Sequence, residues 1–388
     1  MKVRVPTAIM LSDQFERANR RPSGFDYLRT ALAIVIILFH APIICSGPPI
    51  IPWLLGGPLR PIVYFLVPSF FALSGFLIAG SLERNPLPAF FTLRALRIVP
   101  ALAAEVLISA VIIGAFFTTL PLSDYYTSRG FWAYFLNMVG YVHFKLPGVF
   151  LDLPLSDNVN GQLWTIPFEL ECYVVLGVLT LLGIAQRARL LFWLAVAFVL
   201  AITFWPLVSG VPHPRFNVAP GRMLIAVTLF GVWMYKARRS IPFSWPLFWV
   251  SLVLTGMMLA TTSLIYVATL PLAYVTVFLG LLNPRRSRVL ASGDYSYALY
   301  LYSFPIQQSL VALFPWAQNW LLNFVAGIAL SGVCAYLSWH FLESKVLAAR
   351  KTVVPQVERA ARWTAQSLAA IIDIARRISA SAKTAIDR

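Results

Sequence analysis

The sequence predicts an all-α membrane protein with ten transmembrane helices, on the grounds of composition, apolar run length and the placement of basic residues. Of 388 residues, 59% are hydrophobic and only 12% are charged. An ordinary soluble domain has about 45–50% apolar and roughly 25% charged residues. A soluble globule of this size would lack the polar surface it needs, and the same composition excludes disorder. The chain is therefore expected to lie in a membrane.

Ten apolar runs are candidates for transmembrane helices, each of which needs roughly 17–25 mostly apolar residues. The runs are 28–45, 61–82, 98–120, 163–185, 189–209, 222–237, 245–261, 264–282, 295–314 and 320–341. An eleventh apolar stretch, 131–144, is short and has polar flanks. We expect an interfacial or re-entrant helix there.

The basic residues indicate which ends of the helices face the cytoplasm. The net charge is +16, and the clusters at 84–97, 187–189, 236–239 and 285–288 alternate with loops that carry little positive charge. Cytoplasmic loops of membrane proteins are rich in Lys and Arg. This placement explains the excess of basic over acidic residues without nucleic-acid binding, and it predicts that both termini are cytoplasmic.

Three segments are expected along the chain: a cytosolic N-terminal segment (1–27), a ten-span membrane domain (28–342) and a basic amphipathic cytosolic tail helix (343–388). The tail has an approximate apolar stripe, so it could lie on the anionic inner leaflet or be a solvated helix. The first span lacks a convincing small-residue cleavage site and is interpreted as a retained helix.

The first candidate site residue is a histidine inside the first span. His40 follows Arg29 by about three helical turns, so both side chains share a face, and a rise of about 16 Å places His40 near mid-membrane. Ionisable groups at that depth usually mark a site. An imidazole there could accept a proton from a weakly acidic hydroxyl, or it could be a packing histidine bonded to a neighbouring helix.

Further candidates are two arginines at the cytosolic edge of the third span and two carboxylates within spans. Arg94 and Arg97 lie on nearly one side of a helix, where they could bind phosphates or anchor the helix among lipid headgroups. Pro167 is expected in the first turn of the span at 163–185, where proline is tolerated, and Glu169 follows it; Glu105 lies in the third span. A carboxylate at membrane depth must be protonated or paired, and His40 or the arginines are the expected partners. A structural pair between helices is the alternative.

The cysteines and the local motifs exclude several other kinds of site. Cys45, Cys172 and Cys334 are odd in number, far apart and surrounded by apolar residues. They are expected to be small buried hydrophobic residues, and neither a disulfide framework nor a metal site is predicted. The chain has no glycine-rich phosphate loop and no nucleophile elbow.

Five blocks of sequence, in order, resemble the integral-membrane acyltransferase family 3, which O-acylates surface polysaccharides and lipopolysaccharide. They are FDYLR at 25–29 with His40, FFALSGFLI at 70–78, FFTLRALRIVP at 90–100, NGQLWTIPFELECY at 160–173 and GDYSYALYLYSFP at 293–305. A weaker block, WHFLE, stands at 339–343. The similarity covers residues from about 24 to 345. Ser303 occupies a position at which many relatives have a histidine.

The resemblance implies a membrane O-acyltransferase of the bacterial inner membrane that uses acyl-CoA, acetyl-CoA in the simplest case, as co-substrate. The acceptor would be a cell-surface glycan or a lipid-linked saccharide. The implied catalytic residues are His40, as general base, and Glu169; Arg29, Arg94 and Arg97 would bind acyl-CoA; and Asp26, Trp164, Tyr173 and Tyr302 would support the site. Direct attack on the thioester and transfer through an acyl-histidine both remain open.

A secondary transporter, or a flippase of a lipid-linked sugar or small anion, is the alternative function. Buried His, Glu and Arg side chains also form ion-coupled paths in transporters. No inverted repeat is visible in the sequence, and the charged residues gather at one end of the first and third spans. Both observations favour the acyltransferase.

Overall fold

The computed structural model describes residues 9–210, 220–364 and 366, and within these ranges the chain forms helices and no β-strand. The predicted all-α class is confirmed for this part of the chain. Helices satisfy their backbone hydrogen bonds within one segment, which is what a lipid environment requires of an apolar span.

Seventeen α-helices, and after them a further helical stretch at 350–364, follow one another along the described residues. They are α1 (Leu11–Arg17), α2 (Gly24–Ser46), α3 (Ile51–Gly56), α4 (Arg60–Arg84), α5 (Leu87–Leu107), α6 (Gly114–Phe117), α7 (Leu122–Thr127), α8 (Arg129–Tyr134), α9 (Ile166–Leu181), α10 (Ala188–Ser209), α11 (Gly221–Lys236), α12 (Trp245–Leu259), α13 (Thr269–Leu281), α14 (Arg288–Ser292), α15 (Ser296–Leu313), α16 (Trp320–Ser338) and α17 (Ser344–Ala348).

Six helical stretches of the described chain are long and apolar enough to cross a membrane. They are Gly24–Ser46, Arg60–Arg84, Leu87–Phe117, Gly161–Leu181, Ala188–Pro206 and Trp320–Thr364. The other four predicted spans coincide with α11, α12, α13 and α15, which are 16, 15, 13 and 18 residues long. The total of ten spans, the orientation and the three segment boundaries stay predictions.

The stretch 131–144 has no helix of transmembrane length. It contains the end of α8, a 3-10 turn at Phe135–Val139 and an extended segment. The tail helix extends to residue 364, and the later part of its predicted apolar stripe lies outside the described residues.

Close helix packing in the centre depends on small residues. A Cβ atom added at Gly75 of α4 would lie 2.3 Å from the Thr228 carbonyl oxygen of α11, and one added at Gly231 would lie 2.3 Å from the Ala72 carbonyl oxygen. Small residues let helix backbones approach closely in membrane proteins. The α4–α11 pair therefore forms a compact support behind the site described below.

The start of α2 is fixed to the segment that precedes α14. Ser23 Oγ donates a hydrogen bond to the Pro284 carbonyl at 2.5 Å, and Tyr27 donates to the Arg285 carbonyl at 2.8 Å. These contacts bring Arg29, two turns into α2, beside the segment between α14 and α15.

Two π-helical turns interrupt the regular helices. One, Ile108–Ile113, follows Glu105 in the third span, and the other, Trp339–Glu343, joins α16 to α17. Such turns change the direction in which the following side chains project, and they are frequent at functional sites.

Candidate active site

A cavity of about 420 Å³ lies among α2, α4, α5, α9 and α15. Its wall contains Arg29 from α2, Arg94 and Arg97 from α5, and Glu169 and Tyr173 from α9. Five residues that the sequence predicted for one site are therefore brought together from three helices. Most of the remaining wall is apolar, and a mainly apolar pocket with a few convergent polar groups is typical of a small-molecule site.

Two of the three predicted arginines bind the same carboxylate. Arg29 Nη1 lies 2.6 Å and Arg97 Nη2 lies 2.5 Å from Oδ2 of Asp294, and Ser296 donates a hydrogen bond to Oδ1 at 2.7 Å. Burial acts to raise the pKa of Asp294, but the Arg97 and Arg29 charges outweigh burial and hold this pKa well below its usual range. Asp294 is thus ionised at neutral pH and joins α2 to α5.

Arg94 differs from its two neighbours because it forms no ion pair with a carboxylate within the described ranges. Its Nε is buried without a hydrogen-bond partner, and its guanidinium carbon lies 6.0 Å from the centre of the Phe90 ring. Arg94 therefore keeps hydrogen-bond donors available to an anionic ligand in the cavity.

Glu169 is the one carboxylate that lines the cavity in the described part of the chain. It lies in the first turn of α9, and Pro167 is the second residue of that helix, as the sequence predicted. Tyr173, one turn later, donates a hydrogen bond to Glu169 Oε1 at 2.6 Å. The tyrosine fixes the carboxylate at the cavity wall.

His40 lies further along α2 and is not among the residues that line the cavity. Its ring packs edge-on against Phe304 with ring centres 5.3 Å apart, and its Nδ1 is buried without a hydrogen-bond partner. No hydrogen bond or ion pair joins His40 to Glu105 or Glu169 among the described residues. The expected pairing of His40 with these carboxylates is not found.

Glu105 belongs to a buried polar network instead. It accepts hydrogen bonds from Ser109 at 2.6 Å and from Asn160 at 2.9 Å. Gln162, two residues after Asn160, donates to Ser303 Oγ at 2.9 Å. A buried carboxylate needs hydrogen-bond donors of this kind. The hydrogen bonds of this network connect α5, the segment before α9, and α15.

The predicted supporting residues have different surroundings. Asp26 forms an ion pair with Arg286 at 3.0 Å and lies 3.9 Å from Arg29. Trp164 packs against Phe168 with ring centres 6.1 Å apart. Tyr302 is buried in an apolar cluster formed with α2 and α16, away from the cavity wall. Of the four supporting residues, Tyr173 alone lines the cavity.

Sequence reasoning missed the roles of Asp294, Asn160, Gln162 and Arg350. The first three lie inside motif blocks, so their polar side chains in apolar surroundings were an available signal. Arg350 lies after the last motif and also lines the cavity. No group of three or more His, Cys, Asp or Glu side chains that could hold a metal ion occurs within the described ranges.

Comparisons with known proteins match the chain along most of its length. The acyltransferase domain family matches residues 23–340. Nodulation protein 10 of Rhizobium leguminosarum bv. viciae is 26% identical over 377 residues, which cover 87% of this chain and 97% of that protein. The O-acetyl transferase of Shigella phage Sf6 is 24% identical over 363 residues, which cover 83% of this chain and 95% of that protein. No solved structure matches the chain.

The matched region includes all five main blocks on which the resemblance rested, from the first helix with Arg29 to the end of α16. It also includes all the arginines and carboxylates discussed above except Arg350. The helices of transmembrane length agree with a multi-pass membrane protein. This chain belongs to the acyltransferase 3 family.

Proposed function

We propose that the protein transfers a small acyl group, acetyl in the simplest case, from cytosolic acyl-CoA to a hydroxyl group of a cell-surface or lipid-linked glycan. The observation that carries this proposal is the cavity, in which three arginines and Glu169 converge above an apolar wall. Guanidinium groups bind phosphates through paired hydrogen bonds, and an apolar wall suits an acyl-pantetheine arm.

Support for the donor end comes from charge. Arg29 and Arg97 share the carboxylate of Asp294, the Asp26 carboxylate lies between Arg29 and Arg286, and Arg94 has no carboxylate partner within the described ranges. The group therefore keeps an excess of positive charge, which attracts the pyrophosphate of acyl-CoA. The positive-inside pattern supports the assignment of this end of the helices to the cytoplasmic side of a bacterial inner membrane.

The proposed reaction requires a base for the acceptor hydroxyl. The hydroxyl oxygen attacks the thioester carbonyl, the new ester C–O bond forms, the C–S bond breaks, and the hydroxyl proton passes to His40. The protonated His40 then gives this proton to the departing CoA thiolate, which leaves as the thiol and regenerates the neutral imidazole. His40 Nδ1 is buried and unpaired, so a base is available on the face of α2 that also carries Arg29.

Glu169 is proposed to assist from the cavity wall. Its contact with Tyr173 holds the carboxylate in place, where it balances part of the arginine charge and can exchange a proton with groups in the cavity. Transfer in one step and transfer through an acyl-histidine both use this arrangement, and the acyl-histidine route would suit passage of the acyl group towards the outer side.

A transfer assay tests the proposal. Purified protein is incubated with acetyl-CoA labelled in the acetyl group and with lipid-linked saccharides extracted from bacterial membranes. We expect label to enter the saccharide fraction as an alkali-labile ester, together with release of free CoA, and we expect His40→Asn protein to lose this transfer. Failure of the wild-type protein to bind or consume acetyl-CoA would overturn the proposed donor.

A further inference from the structure

We propose that Arg350 is a fourth arginine of the donor site and binds a phosphate group of acyl-CoA at the cytosolic rim of the cavity. Arg350 lies beyond the family match, which ends at residue 340. The inference rests on the function proposed above, because it assumes a phosphate-bearing donor.

The chain that follows α16 folds onto the donor cavity. The π-helical turn Trp339–Glu343 and α17 both pack against α5, the helix that carries Arg94 and Arg97. Leu347 and Arg350, three residues apart, line the same cavity as those arginines. Residues at this spacing share one face of a helix, so the start of the tail helix contributes part of the cavity wall.

The available hydrogen-bond donors favour a ligand at Arg350. Arg29 and Arg97 are both bound by Asp294, whereas Arg350 is exposed and takes part in no ion pair or hydrogen bond among the described residues. Acyl-CoA carries a pyrophosphate and a separate phosphate on its ribose. Two guanidinium groups without a carboxylate partner among the described residues, those of Arg94 and Arg350, match a ligand whose phosphates are separated.

Two ligands could supply a phosphate at this rim: the acyl-CoA donor or a lipid headgroup. Arg350 shares a cavity with Arg94 and Arg97, and its neighbour Leu347 extends the apolar wall of that cavity. The arrangement favours the donor, because a headgroup ligand needs no cavity. The experiment below separates the two sources.

The test compares two thioester donors, acetyl-CoA and S-acetylpantetheine, which has no phosphate group. For Arg350→Ala we expect the KM for acetyl-CoA to rise about tenfold, with little change in kcat and no change in kinetics with S-acetylpantetheine. Arg350→Lys should recover part of the loss, because an ammonium group keeps the charge but lacks the planar fork.

Arg359→Ala is the matched control. Arg359 is exposed and lies nine residues further along the same helical stretch, on roughly the opposite face. Its substitution by alanine removes the same charge as Arg350→Ala does. Its variant should behave like the wild-type protein with both donors.

Three outcomes would overturn the inference. The first is an Arg350→Ala protein with unchanged kinetics, and the second is an equal loss with both donors. The third is a loss that occurs in nanodiscs containing phosphatidylglycerol but not in pure phosphatidylcholine, which would assign Arg350 to a lipid headgroup. In each case acetyl-CoA turnover by the wild-type protein still decides the proposed function separately.

Discussion

Arg94 and Arg97 are three residues apart on one helix, yet the structure gives them different tasks that substitution to alanine should separate. Arg94 has no carboxylate partner among the described residues, and Arg97 is bound to Asp294 at 2.5 Å. We therefore expect Arg94→Ala mainly to weaken donor binding. Hydrogen bonds to charged groups contribute about 1.5–3 kcal/mol, so the Kd for acetyl-CoA should rise by about one to two orders of magnitude.

Arg97→Ala should mainly lower stability. Removing one partner of a fully buried ion pair costs about 3–5 kcal/mol. Here the side chains of Arg97 and Asp294 are 23% and 26% exposed, and Asp294 keeps Arg29 and Ser296 as partners. Because of solvent and the remaining partners, we expect Arg97→Ala to lower the free energy of unfolding by only about 1–2 kcal/mol.

The assay pairs isothermal titration with acetyl-CoA and thermal unfolding in detergent for both variants. A double-mutant cycle of Arg97→Ala with Asp294→Asn isolates the contribution of the pair: Asp294→Asn loses the contact with Arg29 in both backgrounds, so the difference between its two costs is the coupling of Arg97 to Asp294. The reasoning is refuted if Arg97→Ala weakens donor binding as much as Arg94→Ala does and leaves the unfolding temperature unchanged.

Three further predictions concern the base, acid stability and orientation. His40→Asn should bind acetyl-CoA normally and lose about 10²-fold or more in turnover at saturating donor and acceptor, since a positioned base contributes typically 10²–10⁴-fold; turnover near wild type would remove His40 from the chemistry. The lowered pKa of Asp294 means that its stabilising charge is fully present above its unfolded pKa, about 3.9, and is lost as pH falls through the lower folded value. Thermal unfolding between pH 3 and 7 should therefore show a smaller acid loss for Asp294→Asn than for wild type, and parallel curves would contradict this. A cysteine placed at Asn158 should be labelled from outside intact cells and one at Arg286 should not; labelling at Arg286 would overturn the predicted orientation.

The sequence predicted the helices and five polar residues of the cavity wall, because both depend on local pattern. Arg94 and Arg97 share a helix face by spacing alone, and Glu169 and Tyr173 do so one turn apart. Their hydrogen bond and their shared cavity agree with those expectations. Spacing also predicted that Pro167 would be accommodated at a helix start.

The contacts that the sequence did not predict depend on tertiary packing. Asp294 lies far along the chain from Arg29 and Arg97, and it meets them because the start of α2 is tied to the segment before α14. Arg350 reaches the cavity through a π-helical turn, which no periodicity in the sequence indicates. The partners of Glu105 are amide and hydroxyl side chains, whereas charge alone had suggested His40.

The surroundings of the four histidines leave His40 as the candidate base. The family resemblance implies a histidine in many relatives at the position of Ser303, whose hydroxyl here accepts a hydrogen bond from Gln162 and donates one to the Tyr300 carbonyl. His340 lies 3.1 Å from the Tyr295 hydroxyl beside α17.

His143 lies in the segment between α8 and α9, where its ring packs against Tyr141, and His213 is outside the described residues. Among the histidines of the described residues, His40 is the one on α2, the helix that also carries Arg29 of the cavity wall. A hydroxyl such as that of Ser303 cannot replace an imidazole as a base near neutral pH. An imidazole introduced by Ser303→His should therefore not rescue His40→Asn, because it replaces the ring at a different position. Turnover of the double variant is the measurement. Recovered turnover would show that proton transfer needs an imidazole but not the position of His40.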